Sequence, residues 1–193
     1  MTDTAEAITA VLRSGHGQDL RELLYRLSEA LPGQTPPDDH AIDILSGALR
    51  GGLGDEQDHI DGDPAAHLAF WKALSERFPQ VPRLRGIYAD TLLLTGRRDE
   101  ALTEFLAAFA VDPRVLYAFG GELRDLFESR GGLPWALYRA TAVRAAELDD
   151  PEGNRDYVQD VTNELVDEFR HDPRTLQAIL AVLRSGREPH SGP

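Results

Sequence analysis

Residues 82–113 read PRLRGIYADTLLLTGRRDEALTEFLAAFAVDP. Two apolar patterns of helical period meet in this stretch at Gly96. Small residues, Ala89 before the glycine and Ala101 and Ala108 after it, fall where two helices would cross closely. The stretch closes on Asp112-Pro113. This pattern predicts a helical hairpin, 82–95 joined to 98–111. Such hairpins bury their apolar faces by stacking on neighbouring copies.

Shifting the chain by 35 positions brings related residues into register. Ala66, Ala101 and Ala136 coincide, as do Ala73, Ala108 and Val143. Gly86 meets Gly121, Asp90 meets Asp125, Gly96 meets Gly131, and Leu102 meets Leu137. The shared positions are mechanical ones. Small side chains let helix backbones approach, and a glycine after a helix end supports a left-handed cap.

Asp-Pro punctuates the chain at Asp63-Pro64, Asp112-Pro113, Asp150-Pro151 and Asp172-Pro173. Asp caps a helix by accepting from free amides of its first turn. Pro suits the first helical position, where its missing N–H is no loss. Each pair is therefore expected to open a helix. The predicted helices run over 64–78, 82–95, 98–111, 114–130, 133–149, 152–170 and 173–185. In the last but one, Tyr157, Val161, Leu165 and Phe169 recur every four residues. Upstream, apolar stripes predict helices over 3–14, 18–31 and 38–50. Residues 51–63, GGLGDEQDHIDGD, read as an acidic loop, and 186–193 as a disordered tail. No segment alternates as a half-buried strand does. The expected fold is all-α, with about ten helices in one domain over 1–185: N-terminal helices 1–50, a repeat core 64–151 and a C-terminal pair 152–185.

These residues resemble a tetratricopeptide repeat. Counting back from Pro113 as its closing proline, Ala89 takes the small position of the first helix and Gly96 falls in the turn. Ala101, Phe105 and Ala108 take the small, aromatic and small positions of the second. Arg85 departs from the usual aromatic, and Leu92 stands in the usual tyrosine position. The flanking units match less well. Residues 64–79 supply a second helix through Ala66, Phe70 and Ala73, with the 38–50 helix as its expected partner. The unit after Pro113 has Arg124 where Ala89 stood. The resemblance implies antiparallel hairpins stacked as a right-handed superhelix, with a concave groove that binds a peptide or partner protein. By position, Arg83, Gly86 and Asp90 would face that groove from one unit, and Ala118, Gly121 and Asp125 from the next. The aspartates would favour a basic or Arg-containing peptide.

Composition narrows the function classes. A net charge of -13 over 193 residues disfavours nucleic acid, whose backbone such a surface repels. A partner with a basic face is easier to accept. Lys72 is the only lysine among the basic residues, the arginine-heavy usage of a GC-rich, bacterial-like genome. Cysteine is absent, which removes disulfides and thiolate chemistry. No apolar run reaches membrane-spanning length and no signal peptide is evident, so a cytoplasmic protein is expected.

Catalytic signatures are missing. The chain has no Gly-Lys-Ser/Thr loop for phosphates, no His-Glu-x-x-His and no Gly-x-Ser-x-Gly elbow. Asp55, Glu56, Asp58, His59, Asp61 and Asp63 form the one constellation with metal-ligand chemistry. Its spacing fails the EF-hand pattern, and Pro64 interrupts any continuous helix from His59 to His67. No metal and no cofactor are expected. Trp71 and Trp135 read as packing residues. The expected function is that of a non-enzymatic adaptor for another protein, with a dedicated acidic chaperone or immunity-type inhibitor of one basic client as the alternative. An enzyme or metal protein built on the acidic loop ranks third.

Overall fold

Capping aspartates open several helices in the computed structural model, which describes residues 4–14, 20–31, 36–51, 63–119 and 121–185. The Asp63 carboxylate accepts from the amides of Ala65 and Ala66 at 3.0 and 3.2 Å. Asp172 accepts from the Thr175 amide at 3.2 Å and from its hydroxyl at 2.7 Å. Both are followed by proline at the first helical position. The α-helices are α1 (Thr4–Ser14), α2 (Leu20–Ala30), α3 (Asp39–Gly51), α4 (Pro64–Arg77), α5 (Pro82–Leu94), α6 (Arg98–Val111), α7 (Gly121–Arg130), α8 (Gly132–Asp149), α9 (Arg155–Phe169) and α10 (Pro173–Arg184). A 3-10 helix, Pro113–Ala118, precedes α7. Among the described residues there is no strand, and the protein is all-α.

Two expected helix starts are corrected. The segment 114–130 is not one helix. It breaks at Phe119, whose backbone is extended (φ -123, ψ 137). The Phe119 ring packs edge-on against Phe105 at 5.2 Å. The glycines that follow in sequence, Gly120 and Gly121, make a continuous helix expensive in backbone entropy. Asp150-Pro151 opens a turn rather than a helix. The Asp150 carboxylate folds back to accept from the Gly153 amide at 2.9 Å, and α9 starts only at Arg155. A side chain at Gly153 would meet that carboxylate at 2.2 Å, so glycine leaves the carboxylate room in this position.

The turn at Gly96 has the chemistry expected of it. Gly96 lies at φ 79, in the left-handed region. Its amide donates to Leu93, and the Arg97 amide donates to Leu92, both at 2.9 Å. That is the paired bonding of a Schellman cap. Its counterpart Gly131 also has positive φ, 61, and ends α7.

The chain divides into two compact units, 1–101 and 102–193. In the first, α1 packs on α2 and α3, and α4 packs on α5 and α2. The core includes Ile8, Leu27, Leu45, Trp71, Leu74, Phe78 and Leu84. Arg77 ties α4 to the end of α2, donating to the carbonyls of Ser28 and Leu31 at 3.4 and 3.1 Å. Its guanidinium also lies 5.1 Å from the Phe78 ring centre. Among the described residues the neighbours of α4 are therefore α2 and α5, not the 38–50 helix expected as its partner.

In the second unit α8 is the hub, packing against α7, α9, α10 and the 3-10 helix. Ala136, Ala140 and Val143 of α8 share a core with Leu165 of α9 and with Ile179 and Leu183 of α10. Small residues on α8 allow this close approach. Aromatic rings continue the interior: Phe105 meets Phe109, Phe109 meets Phe127, and Phe127 stacks on Tyr138 at 5.3 Å.

Candidate interaction surfaces

The six positions expected to line a groove fall into two groups. In the first unit, Gly86 is buried within α5 and Asp90 is half-buried and engaged in an interaction of its own. Arg83 is held by α3, through an ion pair with Asp43 and a second with Asp39 at 3.5 Å. This trio is built into the packing of α5. In the second unit, Ala118, Gly121 and Asp125 are all exposed. Ala118 ends the 3-10 helix, and Gly121 and Asp125 lie on the following α7.

Beside Ala118 stands a residue that periodicity did not single out. Tyr117 is 55 % exposed, and Tyr157 at the start of α9 is 47 % exposed. Leu148, near the end of α8, is 40 % exposed. Burial raises the Tyr117 phenol above its ordinary pKa, and the negative charges of Asp149 and Tyr157 add to the rise. Tyr138 is raised too, by burial first and by Tyr157, against the opposing charge of Arg124. Tyr117, Tyr157 and Asp149 thus share one electrostatic neighbourhood on the second unit. The surrounding chain is acidic: Asp149, Asp150, Glu152, Asp156 and Asp160 are exposed, with Arg155 and Arg114 as the cations. Arg114 is engaged by Asp112 at 2.9 Å.

Periodicity places Tyr157 in the apolar stripe of α9, and its exposure has a geometric reason. A four-residue repeat advances about 40° per step relative to a helix of 3.6 residues per turn. Leu165 is fully buried and Val161 half-buried, so by Tyr157 the stripe has turned off the core. Trp71 is buried as expected, whereas Trp135 is half-buried and stacks on Tyr138 at 5.5 Å, with Arg124 lying 6.0 Å from its ring centre.

The first unit carries a different surface. An apolar groove of about 470 Å³ runs between α2 and α4. Leu24, Tyr25 and Ser28 wall it from α2; Ala65, Ala66, Ala69 and Ala73 wall it from α4, and Arg77 also lines it. Phe70 and Leu74 form its base. Tyr25, 61 % exposed, stands at the rim. The signal for this groove was present as the run of alanines in α4, which the repeat pattern assigned to a helix crossing.

The expected acidic constellation lies outside the described residues except for Asp63, whose carboxylate caps α4. Among the described residues no group of three metal-ligating side chains comes together. No described helix is long and apolar enough to cross a membrane. No protein-family model, curated relative or solved structure matches the chain.

Proposed function

We propose that this chain is a non-enzymatic protein-interaction module, a helical-repeat adaptor of tetratricopeptide type whose second unit receives an arginine-bearing segment of a partner protein. The observation that carries this reading is the exposure of Tyr117 and Tyr157, with Asp149 near enough to raise the Tyr117 phenol. Tyrosine supplies rigid contact area at small entropic loss, and its ring face attracts cations. Carboxylates pair with guanidinium in bidentate geometry. Asp125 and Ala118 are exposed on the same unit.

A peptide-display selection against the full chain tests this. Enriched sequences should be rich in arginine, and the double variant Tyr117→Ala, Tyr157→Ala should lose them while melting as wild type. Enrichment of neutral sequences, or retention by the double variant, would defeat the reading. The net charge of -13 favours a second form of it, a dedicated acidic chaperone or inhibitor of one basic client. That form requires association that weakens steeply with added salt.

A further inference from the structure

The 3-10 helix Pro113–Ala118 carries Arg114 and Tyr117, both exposed, at a spacing of three. A 3-10 helix has three residues per turn, so side chains three apart eclipse, about 6 Å from each other along the axis. Arg114 therefore shares the face of Tyr117, one turn before it. Val115 and Leu116 between them are buried, and the helix packs on α8, whose last residue is Asp149.

Two carboxylates act on the Arg114 guanidinium. Asp112 holds it in contact, accepting from Nε at 3.0 Å and from Nη2 at 2.9 Å. That is the bidentate fork in which a carboxylate receives arginine best. Asp149 acts through space. The Arg114 pKa is raised first by the Asp112 hydrogen bond and then by its charge; burial opposes the rise, and Asp149 adds to it. Burial first, and then the same Asp149 carboxylate, raise the Tyr117 phenol. With its side chain 57 % exposed, Arg114 is held in place by the Asp112 fork more than by packing.

We propose that Arg114 sets the affinity of the tyrosine surface for a partner's arginine. Asp112 holds it aside; once released, it turns to Asp149 and takes the place beside Tyr117 that an incoming guanidinium needs. This role presupposes the arginine-receiving surface proposed above. Like charges repel, and one carboxylate cannot give both its oxygens to two guanidinium forks at once. The other exposed cation of the neighbourhood is not placed to compete in this way. Arg155 lies two residues before Tyr157 on α9, a spacing that does not bring helical side chains to one face.

A short dye-labelled peptide, two arginines in a flexible Gly-Ser background, is the probe. It is titrated by anisotropy against the full chain at about 0.1 M salt, where a Debye length of about 10 Å confines charge effects to neighbours. Arg114→Gln should tighten binding about three-fold, the order set by exposed ion pairs. Arg155→Gln makes the same change of net charge and should do less. Asp112→Asn should weaken binding about three-fold by releasing Arg114. Asparagine still accepts from the Arg114 amide, so the 3-10 helix keeps its cap. In the Arg114→Gln background, Asp112→Asn should have no further effect, because no guanidinium is left to release. Equal gains from the Arg114 and Arg155 variants, or an Asp112→Asn loss that persists without Arg114, overturns the proposal and leaves the surface standing. Failure of the wild-type chain to bind the probe, or its retention by Tyr117→Ala with Tyr157→Ala, removes the surface and the role of Arg114 with it.

Discussion

Arg144 of α8 donates from Nε to the backbone carbonyl of Ser185, beyond the end of α10, at 2.8 Å. It is 4 % exposed and also donates from Nη1 to Glu147 at 2.8 Å. One buried cation thereby satisfies a carbonyl at the end of α10 and holds that end against the hub of the second unit. Arg144→Ala should lower stability by about 2 kcal/mol, the order expected for charge-assisted bonds lost from a buried site. Arg144→Lys, which lacks the planar fork, should recover only part of it. Urea unfolding followed by Trp135 fluorescence in a Trp71→Phe background reads the effect. An unchanged midpoint would show that the contact contributes nothing.

The small-residue positions of α4 and α8 should respond in opposite ways to added bulk. Ala136→Leu forces a larger side chain into a fully buried crossing and should cost about 1–3 kcal/mol. Ala73→Leu, its side chain exposed on the open face of α4, should fall within about 0.5 kcal/mol of wild type. Comparable losses at both sites, measured by thermal unfolding, would mean that the α4 face is not open.

Two glycines separate backbone conformation from packing. A side chain at Gly96 or at Gly47 would meet nothing within 4 Å. Gly96 has φ 79, so Gly96→Ala should destabilise by about 1 kcal/mol through strain alone. Gly47 lies within α3, where alanine is the better helix former, and Gly47→Ala should stabilise by about 0.5–1 kcal/mol. Chemical denaturation of the pair should show midpoints moving in opposite directions.

His67 gives the first unit a pH dependence. It is buried in α4, and burial lowers its pKa below the ordinary 6.5, against the opposing pull of Asp63. The unfolded chain therefore binds the proton more readily than the folded one. Stability from the neutral ring is fully present above 6.5 and declines as the pH falls through the lowered value. The melting temperature should drop between pH 7.5 and pH 5.5, and His67→Leu should flatten that drop. The same slope in the variant would assign it to another group.

Helix existence was legible along the chain because it rests on local chemistry. Asp63 and Asp172 cap the helices that follow them, and the Gly96 turn closes through its own neighbours. Asp150 shows where local reading reaches its end. The same dipeptide makes a turn there, because the carboxylate has the Gly153 amide within reach. The candidate surfaces were less legible. Gly86 and Asp90 were expected to face a groove, and α5 holds Gly86 buried and Asp90 half-buried.

By itself the sequence determined the all-α class, most helix boundaries and the acidic surface, since periodicity, caps and charge act over a few residues or over the whole chain. Tertiary structure alone decided which helix faces are covered. Alanines at equivalent repeat positions are fully buried in α6 and α8, whereas in α4 Ala66 is half-buried and Ala73 exposed, because burial depends on which helix arrives from elsewhere in the chain, and no local pattern records that arrival.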